Sequence, residues 1–172
     1  ITNSYEFNNY IGDITKNINW TWGINDKSIL LFKNILDQFQ EKINNFFKNE
    51  FNLIGASFIT LYESEVSNTD FHYDINSQYD NEKCNTITLI FPLFIEEDMG
   101  NLEYIENQET KIYKYQKNKV LVWDACKFEH RTQPYKLTEK KKRVLVSMNL
   151  SSNEDWAIKS VSNSLKWQGN LF

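Results

Sequence analysis

Thr69-Asp70-Phe71-His72-Tyr73-Asp74 and, further along, His130-Arg131-Thr132-Gln133-Pro134 hold the only two histidines of a 172-residue chain. In an extended strand, residues i and i+2 project to the same face. If 69–74 is extended, His72 and Asp74 point together and make two neighbouring ligands. His130 opens a second strand-like run, 58 residues after His72 (130 − 72). A fold that lays these runs side by side gathers two imidazoles and one carboxylate at one point. Such a set grips a metal ion from one side and leaves positions open on the other. A closed structural zinc site would use four protein ligands, often thiolates. The fold must therefore bring residues 72 and 130 to a common mouth.

The sequence around these runs fits that requirement. After Phe51 the chain breaks into short β-like runs at 54–63, 69–73, 86–94, 101–105, 111–115, 119–123, 129–134 and 143–150. Turn-forming residues such as Asn76-Ser77, Met99-Gly100-Asn101, Asn107 and Asn118 separate them. About eight short strands predict a mainly β fold with flanking helices: a double-stranded β-helix, or cupin-like jelly roll. Before this core, 26–51 reads as one amphipathic helix with Asp26 as N-cap. Phe32, Ile35, Leu36, Phe39, Ile43, Phe46 and Phe47 recur at helical spacing and form the face that packs on a sheet. Trp20 and Trp22 share one face of an earlier strand, and 153–165 predicts a last helix. There is no internal repeat, linker or shift of composition. The economical reading is one domain over 1–172, with a supporting strand and helix in 1–50, the jelly-roll core in 51–150 and a tail in 151–172.

A second alternation concerns charge. In Arg143-Val144-Leu145-Val146-Ser147-Met148-Asn149-Leu150 one face carries Arg143, Leu145, Ser147 and Asn149, and the other is wholly apolar. An arginine facing a core needs a partner, and a buried dicarboxylate would supply two parallel charge-assisted hydrogen bonds. The competing reading is that Arg143 ends the basic run Lys140-Lys141-Lys142 and faces solvent, with those lysines in a solvated turn over 137–142.

Composition narrows the function classes. Net charge is −4 and the sequence pI is about 5.3, which argues against a domain that grips nucleic acid through its phosphates. The 41% hydrophobic and 15% aromatic content is enough for a packed core and suits pleated sheets. Cys84 and Cys126 are too far apart in sequence for a CxxC motif. They read as thiols of a reduced, cytoplasmic protein, although their pairing stays open. No stretch has the length and apolarity of a membrane span or signal peptide. The excess of Asn, Lys and Ile suggests AT-rich coding, as in a virus-encoded protein acting in a host cell.

Taken together, Tyr62, His72-Tyr73-Asp74, Gly100-Asn101-Leu102-Glu103-Tyr104, His130-Arg131-Thr132-Gln133-Pro134 and Arg143 with Ser147 resemble the 2-oxoglutarate- and Fe(II)-dependent oxygenases, in particular their prolyl 4-hydroxylase-like branch. The resemblance covers roughly 51–150. It implies that His72, Asp74 and His130 bind Fe(II), and that Arg143 pairs with the distal carboxylate of 2-oxoglutarate. It also implies that Tyr62 and Ser147 help hold that co-substrate, that O2 is consumed, and that ascorbate supports turnover. The implied reaction is hydroxylation of a C–H bond coupled to decarboxylation of 2-oxoglutarate to succinate. A prolyl residue of a peptide or protein is the first substrate to expect. Arg131, alternating away from His130, either touches substrate at the rim or faces solvent. Asn149 stands where nucleic-acid demethylases of this superfamily carry a second arginine, which again argues against nucleic acid. Two alternatives stay open: a hydroxylase of a small molecule (a free amino acid or nucleobase), and a non-catalytic cupin-like binding module. Cupins usually present a third histidine, which this chain does not have.

Overall fold

The alternation read in 143–150 builds the two faces of the main sheet. The computed structural model describes residues 4–11, 18–67, 69–76, 83–96 and 99–166. Six antiparallel strands lie in the order β1 (Phe7–Ile11), β2 (Ile18–Gly23), β3 (Asn52–Val66), β9 (Tyr135–Ser151), β4 (Thr86–Ile95) and β7 (Leu121–Asp124). A smaller sheet orders β6 (Glu109–Tyr113), β5 (Leu102–Glu106) and β8 (His130–Thr132). The two sheets close over a cavity, as expected of a jelly-roll core with flanking helices. Among the described residues no helix is long and apolar enough to cross a membrane.

Val146, Met148 and Leu150 of β9 face outward with Ala56, Ile87 and Leu89. There they meet Phe32, Leu36 and Ile43 of two helices, α1 (Asp26–Leu36) and α2 (Gln40–Phe47). Phe58 of β3 packs between Phe7 and Phe32, with ring centroids 5.9 and 5.0 Å away. Burying a side chain such as Phe32 stabilises the fold by about 1.5–3 kcal/mol. The single helix expected over 26–51 is thus two helices, interrupted at Asp37–Phe39. The N-cap is Asn25 rather than Asp26: Asn25 Oδ1 accepts from Ser28 N, and Ser28 Oγ accepts from Asn25 N in return. Asp26 instead occupies the first turn, where a carboxylate favours the helix dipole. The break rotates the apolar stripe, so Phe46 is 79% exposed and merely abuts Phe47 edge-on.

Two further expectations change. The run 69–73 is not a regular strand: only His72 pairs, in an isolated antiparallel bridge with His130. The solvated turn expected over 137–142 belongs to β9. Its extra length is taken up as an irregularity in which Glu63 and Glu65 of β3 pair with Lys141 and Lys136. Lys140 and Lys136 fold back onto Glu63 and Glu65 at 3.0 and 3.3 Å, so the opposed charges suit an extended chain there. The expected tail helix is α3 (Asp155–Lys166), which seals one end of the core through Ala157, Val161 and Leu165. Asn68 and residues 77–82, which include Ser77 of the turn expected at 76–77, lie outside the described residues.

Cys84 and Cys126 are free thiols on either side of Thr86. Cys84 Sγ donates to the Thr86 carbonyl at 3.4 Å, and Cys126 Sγ lies 3.1 Å from Thr86 Oγ1. Burial pushes both thiols up, so they stay protonated and unreactive at neutral pH.

Candidate active site

The inner face of the main sheet is the floor of a cavity of about 380 Å³. Strand register sorts this floor into rows. Ile18, Leu61 and Arg143 form one; Trp20, Ile59 and Leu145 the next; then Trp22, Ser57, Ser147 and Ile90; and finally Asn149, Thr88 and Trp123. The roof comes from the small sheet, through Leu102, His130 and Thr132, and from the segment carrying His72 and Asp74.

His72 and His130 exchange both backbone hydrogen bonds, at 2.9 and 3.0 Å, and their rings stand 4.7 Å apart. Asp74 Oδ1 lies 3.5 Å from His130 Nε2 and 4.0 Å from His72 Nε2, and the three ligand atoms fall within 4.8 Å of one another. Two donors each about 2.1 Å from one ion sit no more than about 4.2 Å apart. Both carboxylate–imidazole distances meet that limit. The rest of each ligand is already committed. His72 Nδ1 is 3.0 Å from the Asp70 carbonyl, and His130 Nδ1 is 3.0 Å from the Phe128 carbonyl. A carbonyl only accepts, so each Nδ1 carries the proton and each Nε2 is left as a lone pair for a metal. Asp74 Oδ2 accepts from Trp123 Nε1 at 2.9 Å, which leaves Oδ1 for the ion. The residues fit a divalent metal with an N,N,O donor set.

Trp123 was not foreseen as part of this site. Alternation along its strand puts it indoors, but nothing local signals a bond to a residue 49 positions away. Replacing it with phenylalanine removes the donor and keeps most of the packing against His130 and Phe128. Metal affinity in an equilibrium Co(II) titration should fall by about 10- to 100-fold. An unchanged affinity would mean that the indole does not orient the carboxylate.

Arg143 faces inward and is 2% exposed. The solvent-facing reading is wrong, because Arg143 shares the inner face of β9 with Leu145 and Ser147. Its guanidinium donates through Nη1 to the Gly100 carbonyl, while Nε has no partner among the described residues. No carboxylate pairs with it among those residues, and burial pulls its pKa down. Gly100, at φ 53°, lets the chain come this close: an added Cβ would stand 3.0 Å from Arg143 Nη1, 3.1 Å from Leu61 Cδ2 and 3.2 Å from Thr132 Cγ2. Thr132 and the guanidinium thus both flank Gly100. Thr132 shares a face of β8 with His130, two residues earlier, a spacing of about 7 Å.

Ser147 is 6% exposed and sits in the floor two residues from Leu145. Tyr62 does not join the site. It follows the inward Leu61, so alternation turns it out; it is 55% exposed beneath Lys140. Tyr115 does line the cavity, and its ring centroid is 5.6 Å from the Arg143 guanidinium carbon. Burial pushes its phenol up to about 12, partly offset by Arg143, so it is a neutral hydroxyl at physiological pH. Tyr115 was missed because the run expected over 111–115 ends as β6 at Tyr113, and nothing local signals that the residue just beyond it meets Arg143. Arg131 neither reaches the rim nor faces solvent freely. It lies on the outer side of the small sheet, bonded to Glu103 at 2.7 Å.

No protein-family model and no curated protein matches this sequence. Solved structures do resemble it. One is a Burkholderia pseudomallei oxidoreductase of the 2OG-Fe(II) oxygenase family, at TM-score 0.62 and 12% identity over 85% of this chain and 73% of that one. Another is HygX of Streptomyces hygroscopicus with nickel and 2-oxoglutarate bound, at 0.60 and 10% over 89% and 73%. A third is a Pseudomonas putida prolyl-4-hydroxylase, at 0.55 and 13% over 80% and 73%. At such identities the likeness establishes the shared fold.

Proposed function

We propose that this chain is a 2-oxoglutarate- and Fe(II)-dependent dioxygenase that hydroxylates a C–H bond, with a prolyl residue of a peptide or protein as its substrate. One observation carries the reading. A fully buried arginine without an acidic partner among the described residues lines the same cavity as a His-Asp-His group. A five-carbon dicarboxylate has four C–C bonds of about 1.5 Å each. In this cavity it can pair one carboxylate with Arg143 and present its other end to a metal.

In this reading His72, Asp74 and His130 hold the ion, and Trp123 orients Asp74. Arg143 receives the distal carboxylate, with the neutral Tyr115 phenol and Ser147 as further donors. Leu145, Ile59 and Ile90 wall the chain of the co-substrate and keep water from it. When bound, the ferrous ion and 2-oxoglutarate supply the oxidising chemistry: O2 is consumed, succinate and carbon dioxide leave, and one oxygen atom enters the substrate. The His130 side chain is 8% exposed and that of His72 54%, so the centre opens towards solvent on the His72 side. Trp20 and Tyr73 are among the residues that line the cavity, and their apolar faces suit a pyrrolidine ring. The fold shared with prolyl hydroxylases supports the same substrate.

The test is an anaerobic titration of the apoprotein with Fe(II) and then 2-oxoglutarate, followed by air and a panel of proline-containing peptides, free proline and nucleobases. A weak visible band on adding 2-oxoglutarate, and a peptide that gains one oxygen, are expected. Metal uptake without the band would sink the oxygenase reading. The band with oxygen gained only by a small molecule would move the substrate to that class.

A further inference from the structure

We propose that Arg131 is a positioning residue for the metal centre, acting through the segment that delivers His72. The proposal rests on the reading of His72, Asp74 and His130 as a metal site. It starts from the missing strand. Since 69–73 is not a regular strand, a single bridge to His130 is all the ladder pairing that holds His72. Beyond it the Ile75 N–H donates to the Ala125 carbonyl at 3.1 Å, and ahead of it side chains on the other face hold the segment. Arg131 Nη1 donates to the Thr69 carbonyl at 3.2 Å, and its guanidinium carbon stands 4.4 Å from the centre of the Phe71 ring. Its Nε donates to Glu103 Oε2 at 2.7 Å, and Glu103 is its register partner across β5 and β8. Thr69 Oγ1 adds a bond to the Thr132 carbonyl at 2.7 Å.

The geometry is back to back. Alternation turns His72 and His130 into the cavity, while Phe71 and Arg131, the residues beside them, meet on the outer face. The two pairs share the same short stretch of backbone. Releasing the outer pair frees Thr69–Phe71 to tilt about the bridge, which moves His72 Nε2 relative to Asp74 and His130. A guanidinium suits the task because its rigid fork serves Glu103 and Thr69 at once while its plane lies on Phe71. A lysine offers a single point of charge and can satisfy one of these partners at a time.

The experiment uses the full chain and the variants Arg131→Met, Arg131→Lys and Glu103→Gln. Amide hydrogen exchange of the metal-free protein is read at His72 and, as a control on global folding, at Val146 in β9. Co(II) affinity is measured beside it. In Arg131→Met, exchange at His72 should quicken at least about tenfold while Val146 keeps its protection, and Co(II) affinity should fall about 10- to 100-fold. Arg131→Lys should recover only part of both losses, and Glu103→Gln should show both in weaker form. Unchanged exchange at His72, or Co(II) affinity within twofold of wild type, overturns the proposal. If Arg131→Met does not fold, Arg131→Lys decides by the same two readings. A wild-type protein that binds no Co(II) would end the metal reading. Exchange at His72 would still tell whether Arg131 holds the segment.

Discussion

Replacing Arg143 with methionine is expected to leave the ligand-free protein at least as stable as wild type while weakening 2-oxoglutarate binding roughly 30- to 5,000-fold. The two halves have one cause. Arg143 is 2% exposed, its Nε is unpartnered among the described residues, and burial lowers its pKa. A buried charge without a counter-charge is costly. Methionine fills similar space without that cost and leaves the Gly100 carbonyl as the one group needing a new partner. In the complex the same guanidinium is the counter-charge of a buried carboxylate. Truncating one partner of such a pair costs about 2–5 kcal/mol, which is the range quoted. Thermal melting without ligand and calorimetric titration of 2-oxoglutarate into Fe(II)-loaded protein read the two effects separately. A melting point lowered by more than about 5 °C, near 2 kcal/mol for a chain of this size, with binding unchanged, would make Arg143 a structural residue and remove the co-substrate anchor.

Asp74→Ala should lower metal affinity by about 10²–10³-fold and abolish succinate formation. Structural zinc sites with four ligands bind with about 10–16 kcal/mol, so one ligand carries about 2.5–4 kcal/mol. Asp74 is also the only anionic member of its group, and it lies within 4.0 Å of both imidazole Nε2 atoms. The loss should exceed that of Trp123→Phe, which leaves all three ligand atoms in place. An Asp74→Ala protein that keeps Co(II) within tenfold of wild type would show that the ion, if bound, is held elsewhere.

Much of the arrangement was legible beforehand where it depends on period. The two-residue repeat in 143–150 correctly assigned Arg143 and Ser147 to one face and Val146 and Met148 to the other, because a pleat forces alternation whatever the strand's neighbours are. The apolar stripe of 26–47 marked the face that covers the sheet, because a helix must bury such a stripe. The same local rules failed where partners are distant. Nothing in 69–73 says that only His72 will find a strand to pair with. Nothing in the chain around Tyr62 says that Leu61 takes the inward place and leaves the tyrosine outside. The lysines of 137–142 look like a turn until Glu63 and Glu65 are seen opposite them.

The donor types, their order along the chain and the shared face of Arg143 and Ser147 follow from side-chain chemistry and the geometry of an extended backbone, and were readable locally. What stands across from them depends on the packed fold: Trp123 on Oδ2 of Asp74, Tyr115 and Gly100 at Arg143, and Glu103 and Phe71 at Arg131. These pairs join residues 28 to 60 positions apart. Such pairs are set by which strands become neighbours when the two sheets close, and no local pattern in a single chain records that choice.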